Sequence, residues 1–238
     1  MANMLILGAS RGLGAAFSAG VANAGDTLWL VSRSRPALRA EDGVQRHWIE
    51  ADLSLPQAGD AIAAAFGERL LDVLIYNAGI WETNGFEESY DFRRVSEAET
   101  QRIIAVNLTS AITCVQSLVP ALLRAAHAKV VLIGSTSGLE NVRSREVAYT
   151  ASKFGLRGLA RSLRENLRPH GVAVTCINPG EIANEVPYEL GVDGAIAAGN
   201  GRRIPVHDLV ALVRCVIALS PVACVTQIDV PAITDLTA

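Results

Sequence analysis

Tyr149 and Lys153 stand four residues apart, so on a helix of about 3.6 residues per turn they project from one face. A phenol keeps its proton up to a pH of about 10, and a fixed ammonium a few Å away lowers that value by favouring the phenolate. The pair is therefore a candidate general acid or base near neutral pH. Alone the spacing says little, because Tyr and Lys at this interval recur on solvated helix faces. It gains meaning only if other elements bring a cofactor and a substrate oxygen beside it.

The first such element is the amino terminus. Met4-Leu5-Ile6-Leu7 is an apolar run suited to a buried parallel strand, and Gly8-Ala9-Ser10-Arg11-Gly12-Leu13-Gly14 follows it. A helix of small residues is expected next, over 15–24. Strand, glycine-rich turn and helix together form a phosphate site. Glycines let backbone N–H groups approach an anion, and the helix N-terminus carries partial positive charge. The alternative is a tight turn that merely packs on its strand.

A second strand, 27–31, ends in Ser32-Arg33-Ser34-Arg35. In dinucleotide folds an acidic residue at this tip binds the ribose 2′-hydroxyl of NAD, whereas arginine suits the 2′-phosphate of NADP. This tip carries no acid. Arg33 and Arg11 are suited by guanidinium geometry to converge on one phosphate, which points to NADP(H). A third strand, 47–51, leads to Asp52-Leu53, where a carboxylate either accepts from an adenine amino group or caps the next helix at 57–66. A fourth, 73–76, runs into Asn77-Ala78-Gly79, small residues that permit close approach of a cofactor. The segment 80–95 then carries Trp81, Phe86, Tyr90 and Phe92 among acids, read mainly as local packing.

Ser96 with Glu99 has the pattern of a capping box opening a helix that reaches about 126, bent near Pro120. Asn107 lies among its apolar residues and needs hydrogen-bond partners, for which a neighbouring strand is expected. The fifth strand, 129–133, ends in Gly134-Ser135-Thr136-Ser137-Gly138. The catalytic helix is expected over 148–168. The sixth strand, 172–177, ends in Asn178-Pro179-Gly180, a helix covers 206–219, and a last strand covers 226–230. Strands alternating with helices define an α/β fold, a three-layer doubly wound arrangement with a parallel sheet and helices on both faces.

Bulk properties narrow the function. The chain has 238 residues, half of them hydrophobic, and a net charge of −3 with both signs mixed. That suits one domain over 1–238 and gives no sign of nucleic-acid binding. Cys114, Cys176, Cys215 and Cys224 have no zinc or redox spacing and read as reduced core residues of a cytoplasmic protein, with no metal site. The sequence shows no signal peptide pattern and no apolar run long enough for a membrane span.

Taken together the motifs resemble the short-chain dehydrogenase/reductase family over essentially the whole chain: Gly8-x-x-x-Gly12-x-Gly14, Asp52-Leu53, Asn77-Ala78-Gly79, Asn107, Ser135, Tyr149-x-x-x-Lys153 and Asn178-Pro179-Gly180. Arg203-Ile204-Pro205 and the last strand resemble the 3-oxoacyl-carrier-protein reductase branch. The resemblance implies seven strands and a set of roles. Tyr149 exchanges a proton with the substrate oxygen, Ser135 hydrogen-bonds that oxygen, Lys153 binds the nicotinamide ribose and lowers the Tyr149 pKa, and Asn107 holds a relay water. Gly8, Ser10, Arg11, Gly12, Leu13, Gly14, Ser32, Arg33, Asp52, Leu53, Asn77, Ala78, Gly79, Pro179, Gly180 and Ile182, with Tyr149 and Lys153, line the cofactor. Departures from the pattern are Leu7, Tyr76, Asn184 (where a Thr commonly contacts the cofactor), Thr226-Gln227 and Asp229-Val230-Pro231.

The reading is an NADP(H)-dependent oxidoreductase reducing a small carbonyl to an alcohol or running in reverse. An NAD-dependent alcohol dehydrogenase and a non-catalytic NADP(H)-binding regulator share the fold; an epimerase or dehydratase of the extended branch would need a larger C-terminal region. The helices from Glu97 and from Phe154 are apolar around much of their circumference, so a homotetramer or homodimer is expected. The segment 184–204 is expected to be a substrate lid, with Tyr188 and Leu190 as its apolar surface; a short fixed helix over 195–198 is the alternative.

Overall fold

The computed structural model describes residues 1–38, 41–140 and 143–235. Seven parallel strands form one sheet in the order β3-β2-β1-β4-β5-β6-β7. They are β1 (Asn3–Leu7), β2 (Thr27–Ser32), β3 (Gln45–Glu50), β4 (Val73–Tyr76), β5 (Lys129–Ile133), β6 (Ala173–Pro179) and β7 (Gln227–Val230). The central strands β4 and β5 are buried at every position, as parallel strands between two helix layers must be. Leu5, Ile6 and Leu7 are wholly buried.

Helices α1 (Gly12–Gly20) and α7 (Val206–Ala218) cover one face. Helices α2 (Ala58–Phe66), α4 (Ser110–Leu122) and α5 (Val147–Leu167) cover the other. Between β1 and β4 the chain switches from one half of the sheet to the other, opening a crevice at the strands' carboxyl ends.

Three local outcomes differ from the expectations. The helix from Ser96 is α3 (Glu97–Ile104) and α4 joined by a π turn, Ala105–Thr109, not one helix bent at Pro120. Tyr76 explains the π turn: its buried hydroxyl donates to Val106 O at 2.5 Å and meets Ser110 Oγ, so β4 grips the turn from below. The column Glu97–Leu122 is also long and apolar enough by composition to cross a membrane (mean hydropathy 1.6), contrary to the run-length reading. Here it lies against α2 and α5 as a sheet-covering layer. Finally, Cys114 and Cys176 are buried but Cys215 and Cys224 are exposed, because their positions fall on the outer side of α7 and in the loop before β7.

Within 184–204 the chain forms a single turn, Tyr188–Leu190, and a helix, α6 (Gly191–Ala198), longer than the 195–198 segment considered from sequence. Leu190 is exposed, but Tyr188 is not free surface. Its ring stacks on His207 at 4.4 Å, its carbonyl meets His207 Nε2 at 2.7 Å, and its hydroxyl lies against Gly20 of α1. Tyr188 therefore anchors the segment to α1 and α7.

Candidate active site

The glycine turn is shaped by close approach. A Cβ on Gly8 (φ +83°) would lie 2.8 Å from the Ala78 backbone, and one on Gly14 would lie 1.9 Å from Gly8 O. Asn77 Nδ2 donates to Gly8 O at 3.0 Å, locking the β4 tip onto the turn. Arg11 precedes α1 in extended conformation and does not cap it. The cap comes from far along the chain: Leu13 N–H donates to Asn184 Oδ1 at 2.6 Å, and a Cβ on Gly12 would lie 2.5 Å from that oxygen. An amide oxygen thus sits at the anion-seeking end of α1. Only the resemblance, through the position of Asn184, gave any hint of this contact.

Arg11 and Arg33 are both solvent-exposed at this edge. Ser32 is buried; its hydroxyl donates to Ser34 O at 2.7 Å, and Trp48 Nε1 donates to Ser32 Oγ at 3.2 Å, which braces the β2 tip. Asp52 does not cap α2. Its Oδ1 accepts from Ser54 N and Oγ at 2.9 and 2.8 Å, and those bonds, helped by the Arg33 and Arg102 charges, hold its carboxyl below the usual range. Leu53 is buried in the core. Gly180 N bonds Val230 O, and Ile182 pairs with Ile204, so both stand at the β6 exit.

Across the crevice α5 presents Tyr149 and Lys153 side by side, the Lys153 Nζ 5.5 Å from the Tyr149 ring centroid. Lys153 is almost wholly buried and donates to Ile133 O at 3.0 Å. A Cβ on Gly79 would lie 3.4 Å from its Nζ, an ordinary contact distance, so the chain after β4 runs close beside the ammonium. Burial lowers Lys153 to about 8. The Ser135 side chain lies close enough to the Tyr149 phenol to favour its ionised form, and its hydroxyl accepts from Ser137 N at 3.2 Å.

The Tyr149 pKa moves upward, opposite to the sequence expectation. Burial is the main cause; the Ser135 side chain opposes it, and the Glu146 and Glu82 charges add to it. Lys153 cannot offset this well. Its ammonium is itself costly to keep charged in the dry site and is turned onto the Ile133 carbonyl.

Asn107, held in the π turn, is fully used by the polypeptide. Its Oδ1 accepts from Ile80 N at 2.8 Å, and its Nδ2 donates to Ile80 O at 2.8 Å and Ser152 Oγ at 2.9 Å. Its partner is thus the backbone just after β4 and the catalytic helix. Sequence reasoning missed Glu82, a buried carboxylate whose Oε1 accepts from Ala148 N at 2.7 Å and Tyr149 N at 3.3 Å. It caps α5, where the preceding residue's own side chain does not. Glu82 stood in an irregular segment of several acids, and nothing in the linear pattern singled it out.

A glycine cradle at the first βα junction, facing a Ser-Tyr-Lys set across the switch point, defines a dinucleotide-dependent oxidoreductase. Similarity to known proteins points the same way. Residues 2–191 match the family model described as short chain dehydrogenase, and the chain belongs to that family. It falls beside the 3-oxoacyl-carrier-protein reductases. A rhamnolipid-biosynthesis 3-oxoacyl-[acyl-carrier-protein] reductase from Pseudomonas aeruginosa is 30% identical over 215 residues, 84% of this chain and 80% of that protein. The 3-oxoacyl-[acyl-carrier-protein] reductase FabG of Aquifex aeolicus is 29% identical over 198 residues, 78% of this chain and 76% of that protein. Among solved structures, the Pseudomonas aeruginosa RhlG/NADP active-site complex superposes with a TM-score of 0.77 at 25% identity, covering 97% of this chain and 94% of that one. A metagenomic short-chain oxidoreductase in complex with NADP gives 0.70 at 28% identity, with 98% of each chain covered. The family uses a nicotinamide cofactor, and the close-approach glycines and small β4 tip fit such a group.

Proposed function

We propose that the protein interconverts a carbonyl and an alcohol with NADP(H), with Tyr149 as the general acid in the reducing direction. The observation that carries this reading is Lys153 Nζ 5.5 Å from the Tyr149 ring centroid at the Gly79 tip, with Ser135 beside the phenol. A nicotinamide cofactor held by the glycine turn and the β4 tip would supply the hydride. Ser135 and Tyr149 together hold the carbonyl oxygen, and Tyr149 gives it the proton it needs as negative charge builds. The raised Tyr149 pKa keeps that proton in place at neutral pH, which suits an acid rather than a base. In this reading the Lys153 ammonium would hold the nicotinamide ribose, and Asn107 would support the path by fixing Ile80.

NADP(H) is favoured over NAD(H) by the acid-free β2 tip with Arg33 exposed beside the turn bearing Arg11, and two similar structures are NADP complexes. The test is Tyr149→Phe, assayed by NADPH oxidation with a carbonyl panel. Turnover should fall about 10²–10⁴-fold while NADPH affinity stays nearly intact. Near-normal turnover in that variant would overturn the assignment. In the unaltered protein, the reduction rate should hold through neutral pH and decline only as Tyr149 loses its proton.

A further inference from the structure

The outer wall of this site is built from groups that neither the fold nor the proton chemistry requires. Trp81 and Phe86 are 51% and 56% exposed, unusual for side chains of this size. Both stand edge-on to Tyr149, with ring centroids 6.4 and 5.3 Å away at 88°, and 6.0 Å from each other at 69°. Three mutually edge-on rings make a corner at the phenol, and two of them are half-exposed.

This corner is held under strain. Phe86 has φ +67° and Asn84 φ +59°, in the left-handed region that a bulky residue such as Phe avoids. The strain is kept in place by Phe86 N–H donating to Glu146 Oε1 at 2.8 Å, with Glu146 itself 4% exposed. Glu82, 1% exposed, ties the other end of the turn to α5 and leaves its Oε2 without a partner. Strained backbone held by buried carboxylates persists where geometry serves a function.

Charged groups face the corner from several elements. Glu82 and Glu146 lie behind Tyr149 and Phe86, and Lys153 lies across the Tyr149 ring, turned onto Ile133 O. Arg145 is turned away, donating to Tyr90 O at 2.8 Å, and Tyr90 Oη accepts from Val147 N. The two carboxylates outweigh the single ammonium. An anionic ligand at the corner would feel the field of two carboxylates buried behind it, and a neutral one would not.

Resting on the carbonyl-reductase reading, we propose that Trp81, Phe86 and Tyr149 form a subsite that selects a neutral ketone bearing a flat ring next to its carbonyl. The ring packs against Trp81 and Phe86 while the carbonyl oxygen reaches Tyr149 and Ser135. A small acyclic ketone leaves the corner unfilled, and a ring bearing a carboxylate brings like charge towards Glu82 and Glu146.

Three probes separate these features: acetophenone (neutral ring), ethyl acetoacetate (neutral, no ring) and 4-acetylbenzoate (anionic ring). With NADPH, kcat/KM for acetophenone should exceed that for each of the others by about tenfold or more. In Phe86→Gly, where glycine accepts the positive φ, the acetophenone to ethyl acetoacetate ratio should fall about tenfold, chiefly through KM. Trp81→Leu should lower the same ratio while keeping Phe86 and its N–H bond to Glu146 in the chain. An unchanged ratio in both variants, or equal kcat/KM for all probes, overturns the subsite. Saturation-transfer NMR of 1-phenylethanol with the NADP⁺-loaded protein gives a readout free of turnover. Saturation of the phenyl protons that disappears in Phe86→Gly, with no turnover of any probe, keeps the subsite and overturns the reductase reading. Absence of that saturation in the unaltered protein overturns the subsite even if ethyl acetoacetate is reduced.

Discussion

Replacing Lys153 by methionine should make the cofactor-free fold more stable while abolishing its chemistry. The buried ammonium sits at about 8 instead of its usual 10.5. At about 1.36 kcal/mol per pH unit, holding that charge in the dry site costs roughly 3 kcal/mol. Methionine fills much of the same volume without charge, but it leaves Ile133 O without the Lys153 donor, a loss of about 1 kcal/mol. The net gain is about 2 kcal/mol, or about 4–8 °C in Tm for a chain of this length. The pH dependence has a definite sign. The folded pKa lies below the unfolded one, so the unfolded chain holds the extra proton between about 8 and 10.5. Wild-type stability therefore rises through that window relative to the variant. The gap should be widest below pH 8, cross zero within the window, and favour wild type by about 1 kcal/mol near pH 10.5, where only the lost hydrogen bond remains. Differential scanning calorimetry of both proteins from about pH 7 to about pH 10.5 reads it directly, and taking the difference cancels every other titrating group. A methionine variant that melts lower at neutral pH, or a gap that does not shrink with pH, would refute the argument.

The same substitution at the other buried lysine should do the reverse. Lys129 Nζ donates to Val216 O, Ile217 O and Leu219 O at 2.9, 2.8 and 2.6 Å, capping the end of α7, so Lys129→Met should cost about 2–4 kcal/mol and lower Tm by about 5–15 °C; an unchanged Tm would mean water replaces the cap. Asn184→Ala frees Leu13 N–H, and NADPH affinity measured by fluorescence should rise about threefold to tenfold if the amide must leave for phosphate to bind. Weaker binding would show instead that Asn184 helps hold the cofactor. Arg33→Asp should shift the ratio of NADPH to NADH dissociation constants at least about tenfold towards NADH, and no shift would remove Arg33 from phosphate recognition.

What could be read in the sequence depended on how local its cause was. The strands β1, β4 and β5 were visible because continuous apolar runs need two covering layers, and the glycine turn because its spacing sits at a strand end. Helical periodicity put Tyr149 and Lys153 on one face, and the motifs at the strand ends gave that pairing its weight. The π turn was invisible, since it is set by the Tyr76 hydroxyl, thirty residues earlier, reaching Val106 O. The upward shift of Tyr149 was invisible because it comes chiefly from burial, which only the tertiary fold sets, with smaller contributions from nearby Glu146 and from Glu82, which is remote in sequence. Asn184 on Leu13 spans 171 positions. Tyr188 was misjudged because its partners, Gly20 and His207, lie on two other helices.

The two buried carboxylates also bear on how such a protein can change its substrate. Glu82 belongs to the loop but serves the amides of Ala148 and Tyr149, whereas Glu146 precedes the catalytic helix but serves the amide of Phe86. Each piece holds the other's main chain, as two interlocked hands do. The loop is therefore no exchangeable cassette. Transplanted alone into a relative, it would lose the anchor of its strained turn and leave the recipient's helix to find another cap. Inheritance should have moved the two segments together, and a designer wishing to borrow this wall would have to take residues 80–95 and the start of α5 as one unit.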